Sequence, residues 1–179
     1  MAVTKHIAGG SMYAWALLRM VLGYIFLWAF FDKLFGLGFS TCKNAVTGVV
    51  NVGCSQAWIH GGSPTAGFLA HATTGPFASF YHHLAGHALV DWAFMLGLLT
   101  VGVGLLFGIY VRAAALVGIV MLVLMWSSLL WPTTDPGVDE HIVYAIALFG
   151  IALVDENQVW GYRARWHKTA IAKALPFLK

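Results

Sequence analysis

Between residues 90 and 131 the chain carries only two charged residues, Asp91 and Arg112. A stretch this long and this apolar cannot sit on the surface of a water-soluble domain, and in lipid only hydrogen-bonded helices or closed barrels satisfy the backbone. Its length at about 1.5 Å per residue covers a hydrocarbon core of about 30 Å twice. Arg112 interrupts it once, so the sequence predicts two antiparallel helices, residues 90–110 and 113–131, joined at Val111-Arg112. Residues 12–31 form another apolar run, broken only by Arg19. No small-residue cleavage site follows it, so it reads as a retained helix rather than a signal peptide. A weaker run, 142–154, lengthens to 136–154 if Asp135 is an N-cap and Pro136 the first helical residue, with Asp139 and Glu140 near the positive helix end. That extension reaches roughly 28 Å. Composition agrees: 60% of residues are apolar and 9% charged, against about 25% charged in soluble domains.

The expected fold is therefore an all-α membrane protein, one domain over 1–179. It is a four-transmembrane-helix bundle with a long outer loop, 32–89, containing short interfacial helices, and a tail at 155–179. The net charge of +3 shows no basic stripe of the kind that binds nucleic acid. The cations instead divide by side. Lys5, Arg112, Arg163, Arg165, Lys168, Lys173 and Lys179 fall in the tails and the middle turn, Lys33 and Lys43 in the first loop, and Asp135, Asp139 and Glu140 in the third loop. The positive-inside rule then puts both termini in the cytoplasm of a plasma-membrane protein, with lipid as its surroundings. Trp28, Trp92 and Trp131 mark the outer boundary, and Trp15 and Trp160 the inner one.

The outer loop is rich in aromatic residues and punctuated by Gly61-Gly62-Ser63-Pro64 and Gly75-Pro76. Residues 65–73 suit a short helix, and Pro76 can begin another that continues into the second span. Cys42 and Cys54 lie here. A structural disulfide is the first reading; a redox-active pair or free thiols are the alternatives, and no C-x-x-C motif is present. Gly104 and Gly108 form a G-x-x-x-G, read as close packing within the bundle or, alternatively, a contact between copies.

Five positions on the first helix fall near one stripe: Arg19, Gly23, Phe26, Phe30 and Lys33. A charge inside a span needs a partner or a cavity. Arg19 reads either as part of an anion or quinone-headgroup pocket or as a snorkelling cation. On one continuous helix His83, His87 and Asp91 would share a face, and His141 at the start of the last span would lie at the same outer end, with Tyr144 near it. Such spacing supplies at most three converging ligands, so no metal is assigned.

The run Arg19-x3-Gly23-Tyr-Ile-Phe-Leu-Trp-Ala-Phe-Phe-Asp32-Lys33-Leu-Phe-Gly resembles the opening helix of the DoxX/DoxD family. So do Trp58-Ile-His-Gly-Gly-Ser-Pro-Thr, Gly75-Pro76-Phe, Asp91-Trp92-x-Phe-Met-x-Gly and Asp135-Pro-x-x-Asp139-x-His141, in that order, across residues 12–155. Phe30 stands where the family more often has a small residue. The resemblance implies a four-helix membrane protein similar to the large subunit of a thiosulfate:quinone oxidoreductase. Lys33, Asp91 and His141 would be its catalytic residues. Arg19, Asp32, His83, His87 and Tyr144 would bind substrate or quinone. The electron acceptor would be membrane quinone, with no covalently bound cofactor. No flavin, haem or iron–sulfur motif is present, which implies a second protein subunit. The alternative is a non-catalytic membrane adaptor for a redox or sulfur-handling complex.

Overall fold

The computed structural model describes residues 9–44, 46–132, 135–154 and 159–175. Helix α1, Gly9–Phe35, outruns its expected bounds at both ends. Its buried positions, Ala16, Arg19, Leu22, Phe26 and Phe30, recur every three or four residues, while Tyr13, Leu17, Val21, Tyr24, Phe31 and Phe35 stay exposed. That exposed stripe is apolar, as a lipid-facing surface must be.

The loop that follows holds α2, Ala66–His71, and α3, Ala78–Leu84, with single 3-10 turns at Trp58–His60 and Gly75–Phe77. Helix α4 then covers Ala88–Phe107 and α5 covers Val111–Ser128. Helix α6 is Glu140–Leu153, and two short helices, α7 at Arg163–Trp166 and α8 at Ala170–Ala174, follow. Three helices, α1, α4 and α5, are long and apolar enough to cross a membrane. Helix α6 has 14 residues, about 21 Å, short of a hydrocarbon core of about 30 Å.

In the bundle α1 packs on α4, α4 on α5, and α5 on α6. Phe26, Met95, Val101, Leu105, Leu122, Leu148 and Ile151 are among the core residues they share. Lipid offers no hydrophobic drive between helices, so close van der Waals contact has to supply cohesion. Two glycines permit it at the α1–α4 crossing. A Cβ on Gly23 would lie 2.5 Å from the Leu106 nitrogen, and one on Gly102 would lie 2.8 Å from that of Leu27.

Three local expectations are corrected. The α4–α5 connection is residues 108–110 rather than Val111-Arg112. Gly108 takes the left-handed C-cap position at φ 63° and its N–H closes on the Gly104 carbonyl, so Arg112 rides in the first turn of α5. Gly104 packs against Tyr110 and Ala114 within the same chain, which accounts for the G-x-x-x-G without a second copy. Helix α6 does not begin at Pro136. Asp135 instead accepts from the Gly137 and Val138 amides, a side-chain turn, and Asp139 is the N-cap, accepting from His141 and Ile142. Pro76 does not start a helix that continues into the second span either. The chain breaks after Leu84, with Gly86 at φ 78° and His87 as the extended N-cap of α4.

The tail returns to the end of the bundle where α4 meets α5. The Tyr162 amide donates to the Phe107 carbonyl at 2.9 Å, and Trp166 meets the Tyr110 ring at 5.2 Å. This tail end bears Arg112, Arg163, Arg165 and Lys168; Lys5 and Lys179, counted with them in the sequence, lie outside the described residues.

Candidate functional site

Among the described residues the acidic side chains gather at the opposite, loop end, and four of them, Asp32, Asp91, Asp135 and Asp139, organise backbone. Asp32, on the last turn but one of α1, is 1% exposed. Its Oδ1 accepts from the Phe39 amide at 3.0 Å, and its Oδ2 from the Ser40 amide, the Ser40 hydroxyl and the Thr41 amide at 2.9, 2.7 and 3.1 Å. Lys33 donates from Nζ to the same Ser40 hydroxyl at 3.0 Å and sits 5.8 Å over the Phe94 ring of α4. Ser40 thus bridges a lysine and a carboxylate. The turn that Asp32 closes leads directly to the Cys42–Cys54 disulfide. The two cysteines are therefore bonded rather than free, and Cys42 is buried.

Asp91 does for residues 63–65 what Asp32 does for 39–41. Near the start of α4 and buried, its Oδ1 accepts from the Ser63 hydroxyl at 2.9 Å, the Thr65 amide at 3.2 Å and the Thr65 hydroxyl at 2.6 Å. The Ser63 hydroxyl in turn accepts from the Ala66 amide at 3.1 Å. Trp58 and Trp92 meet edge to face at 4.7 Å beside this anchor. Ser40, Ser63 and Thr65 were not singled out from the sequence. The Gly-Gly-Ser-Pro-Thr run was a usable signal, since small hydroxyl residues in a turn seek a carboxylate or backbone partner.

The third cluster starts α6. His141 Nδ1 lies 2.8 Å from Asp139 Oδ2, with both side chains largely shielded. A carboxylate only accepts, so Nδ1 carries the proton and Nε2 is left as the basic nitrogen. Donor atoms of Asp139, Glu140 and His141 lie within 4.8 Å of one another. Both Asp139 oxygens are, however, already engaged, by two amides and the imidazole. Tyr144, one turn on, packs against the core.

The break between α3 and α4 corrects the shared face drawn for His83, His87 and Asp91. His83 ends α3 and His87 caps α4, both exposed, so they do not continue one helical stripe to buried Asp91. Among the described residues no hydrogen bond or ion pair joins Asp91 to His141. Their bonds go to Ser63 and Thr65 and to Asp139, respectively.

Arg19 belongs to the other end. It is fully buried. Its Nη1 donates to the Leu105 carbonyl and, at 3.4 Å, to that of Leu106; its Nη2 donates to Val159 and Trp160 carbonyls at 3.3 and 2.9 Å. The last carbonyls of a helix lack intrahelical donors, so the guanidinium satisfies α4 and clamps the returning tail onto it. Gly108 makes room, since a Cβ there would lie 2.8 Å from Arg19 Nη1 and from Gly161 Cα.

Searches of protein families, of curated proteins and of solved structures each found no match to this chain.

Proposed function

We propose that this chain is a plasma-membrane redox subunit of the DoxX/DoxD type, passing electrons from a small reduced-sulfur anion such as thiosulfate to membrane quinone. In this reading α6 is a fourth, short crossing, the 36–87 loop faces outward and both termini are cytoplasmic. The disulfide supports an oxidising side for the loop, and the basic tail end supports a cytoplasmic side for its opposite.

The observation that carries the reading is the shielded Asp139–His141 pair at 2.8 Å. The net reaction joins two thiosulfates through a new S–S bond to give tetrathionate, releasing two electrons. Quinone accepts both electrons together with two protons. A carboxylate-oriented imidazole suits that proton delivery, because its Nε2 can take a proton from water and pass it on. Tyr144 shares the core-facing side of α6 with His141 at i, i+3, where its hydroxyl suits a quinone carbonyl. Lys33 supplies the cation for a dianion. Asp32 and Asp91 position the loop around it. Arg19, whose donors meet carbonyls at the far end, has no substrate contact here, and His83 and His87 are exposed at the loop end. Electrons pass by direct encounter of sulfur anion and quinone or through a second subunit.

The test is thiosulfate-dependent reduction of a short-chain quinone in proteoliposomes. His141→Gln is expected to lower kcat by about 10²-fold, the usual scale for a general acid–base group, and Lys33→Ala to raise KM. Wild-type rates in both variants would remove these assignments. The adaptor reading is favoured by one observation: the oxygens of Asp32 and Asp91 that make hydrogen bonds all serve the loop. It predicts an inert chain whose co-purified partner retains full activity with His141→Gln.

A further inference from the structure

At the tail end a cleft of about 430 Å³ opens between α1, α4 and the returning chain, lined by Met20, Leu106, Phe107, Trp160, Gly161 and Tyr162. That volume falls in the range of about 300–1,000 Å³ typical of small-molecule sites. Its lining side chains are apolar or aromatic, and two of them, Trp160 and Tyr162, are 58% and 52% exposed. The Arg165 guanidinium lies 5.5 Å over the Tyr162 ring, so a cation stands at the cleft's edge. The sequence from Val159 to Leu175 contains Arg163, Arg165, Lys168 and Lys173 and no Asp or Glu. The segment is held in place by Arg19, by the Tyr162–Phe107 hydrogen bond and by the Trp166–Tyr110 ring contact.

We propose that this cleft is a site for one anionic phospholipid, with an acyl chain between Met20, Leu106 and Trp160 and the phosphate against Arg165 and its neighbouring cations. A slot lined by apolar and aromatic side chains, with a guanidinium over one of its aromatic walls, matches the two ends of such a lipid, and a guanidinium presents the planar donor fork that phosphate accepts. Basic pockets beside membrane helices on the cytoplasmic side bind anionic headgroups in this way. Because Arg19 fixes the tail in advance, little chain entropy is lost on binding. The assignment rests on the cytoplasmic placement of this end in the proposed function, but not on its redox chemistry, and concerns the opposite end of the bundle.

The test is native mass spectrometry of the full chain, delipidated in mild detergent, with equimolar phosphatidylglycerol and phosphatidylcholine. Phosphatidylglycerol adducts are expected to dominate. The double variant Arg165→Gln/Lys168→Gln, at two exposed positions, should weaken phosphatidylglycerol binding by about fivefold per charge removed and leave phosphatidylcholine unchanged. Met20→Trp, which fills the slot but leaves the rim intact, should abolish the preferred adduct with unchanged helical circular dichroism. Millimolar inorganic phosphate should not displace the lipid. Equal adducts of the two lipids, a preference surviving the double variant, displacement by phosphate alone, or displacement by an uncharged quinone independent of Arg165 would each overturn the assignment.

Discussion

Replacing Arg19 separates its possible roles. Two of its hydrogen bonds, to Leu105 and Trp160, are short, and two, to Leu106 and Val159, are long at 3.4 and 3.3 Å. Counting the short pair alone at about 1.5–3 kcal/mol for each charged bond gives about 3–6 kcal/mol. Against this, placing a charge in a helix centre costs about 2.5–3.5 kcal/mol on insertion scales, a cost that Met would relieve. The difference is centred on about 1.5 kcal/mol, which is the destabilisation expected of Arg19→Met. Arg19→Lys keeps the charge but presents a point donor that cannot fork between α4 and the tail, so it should cost at least as much. Stability measured by unfolding in bilayers, and trypsin cleavage after Arg163, Arg165 and Lys168, read the two effects together. Both variants should speed cleavage at those sites by releasing the tail, while α1, α4 and α5 remain inserted. If Lys proved harmless and the tail stayed protected, the clamp argument would fail and a simple cationic role would stand.

Removing both cysteines, as Cys42→Ala/Cys54→Ala, should cost about 3 kcal/mol by the chain-entropy relation for a short loop; an unchanged unfolding midpoint would show that Asp32 alone holds the turn. Asp91→Ala removes the acceptor for three donors and should cost about 2–4 kcal/mol. Asp91→Asn, which retains one acceptor oxygen, should cost less, and an inverted order would refute the hydrogen-bond assignment. Asp135 is held below the ordinary carboxyl range by the Val138 and Gly137 amides. A depressed native pKa stabilises the folded turn above the unfolded pKa, so the protection factors at Gly137 and Val138, which are exchange rates divided into the intrinsic base-catalysed rate at each pH, should fall as pH drops through the native value.

The apolar runs were legible because hydropathy is a property of each residue that lipid reads directly. Three of the expected spans are present as long helices, with ends shifted by a few residues. Helix ends were harder. Asp135-Pro136 and Asp139 are both good N-terminal signals, and only the amide each carboxylate captures distinguishes them. Likewise, nothing local in Ala85-Gly86-His87 forbids a helix; the break appears where α3 packs on α5 through the Tyr81 hydroxyl, 2.6 Å from that of Ser127. The loop-end residues were recognisable by type, but not by partner.

The sequence alone determined that this chain carries long apolar helices, that most of its cations fall in the tails and the middle turn, and that two cysteines share one loop. Those are sums over individual residues. The tertiary structure alone decided that Arg19 serves carbonyls 86 to 141 positions away, and that Asp32 and Asp91 close turns while His141 is paired with Asp139. A buried polar group must find a partner wherever packing brings one within about 3 Å, and the folded chain, not the spacing of residues along it, selects that partner.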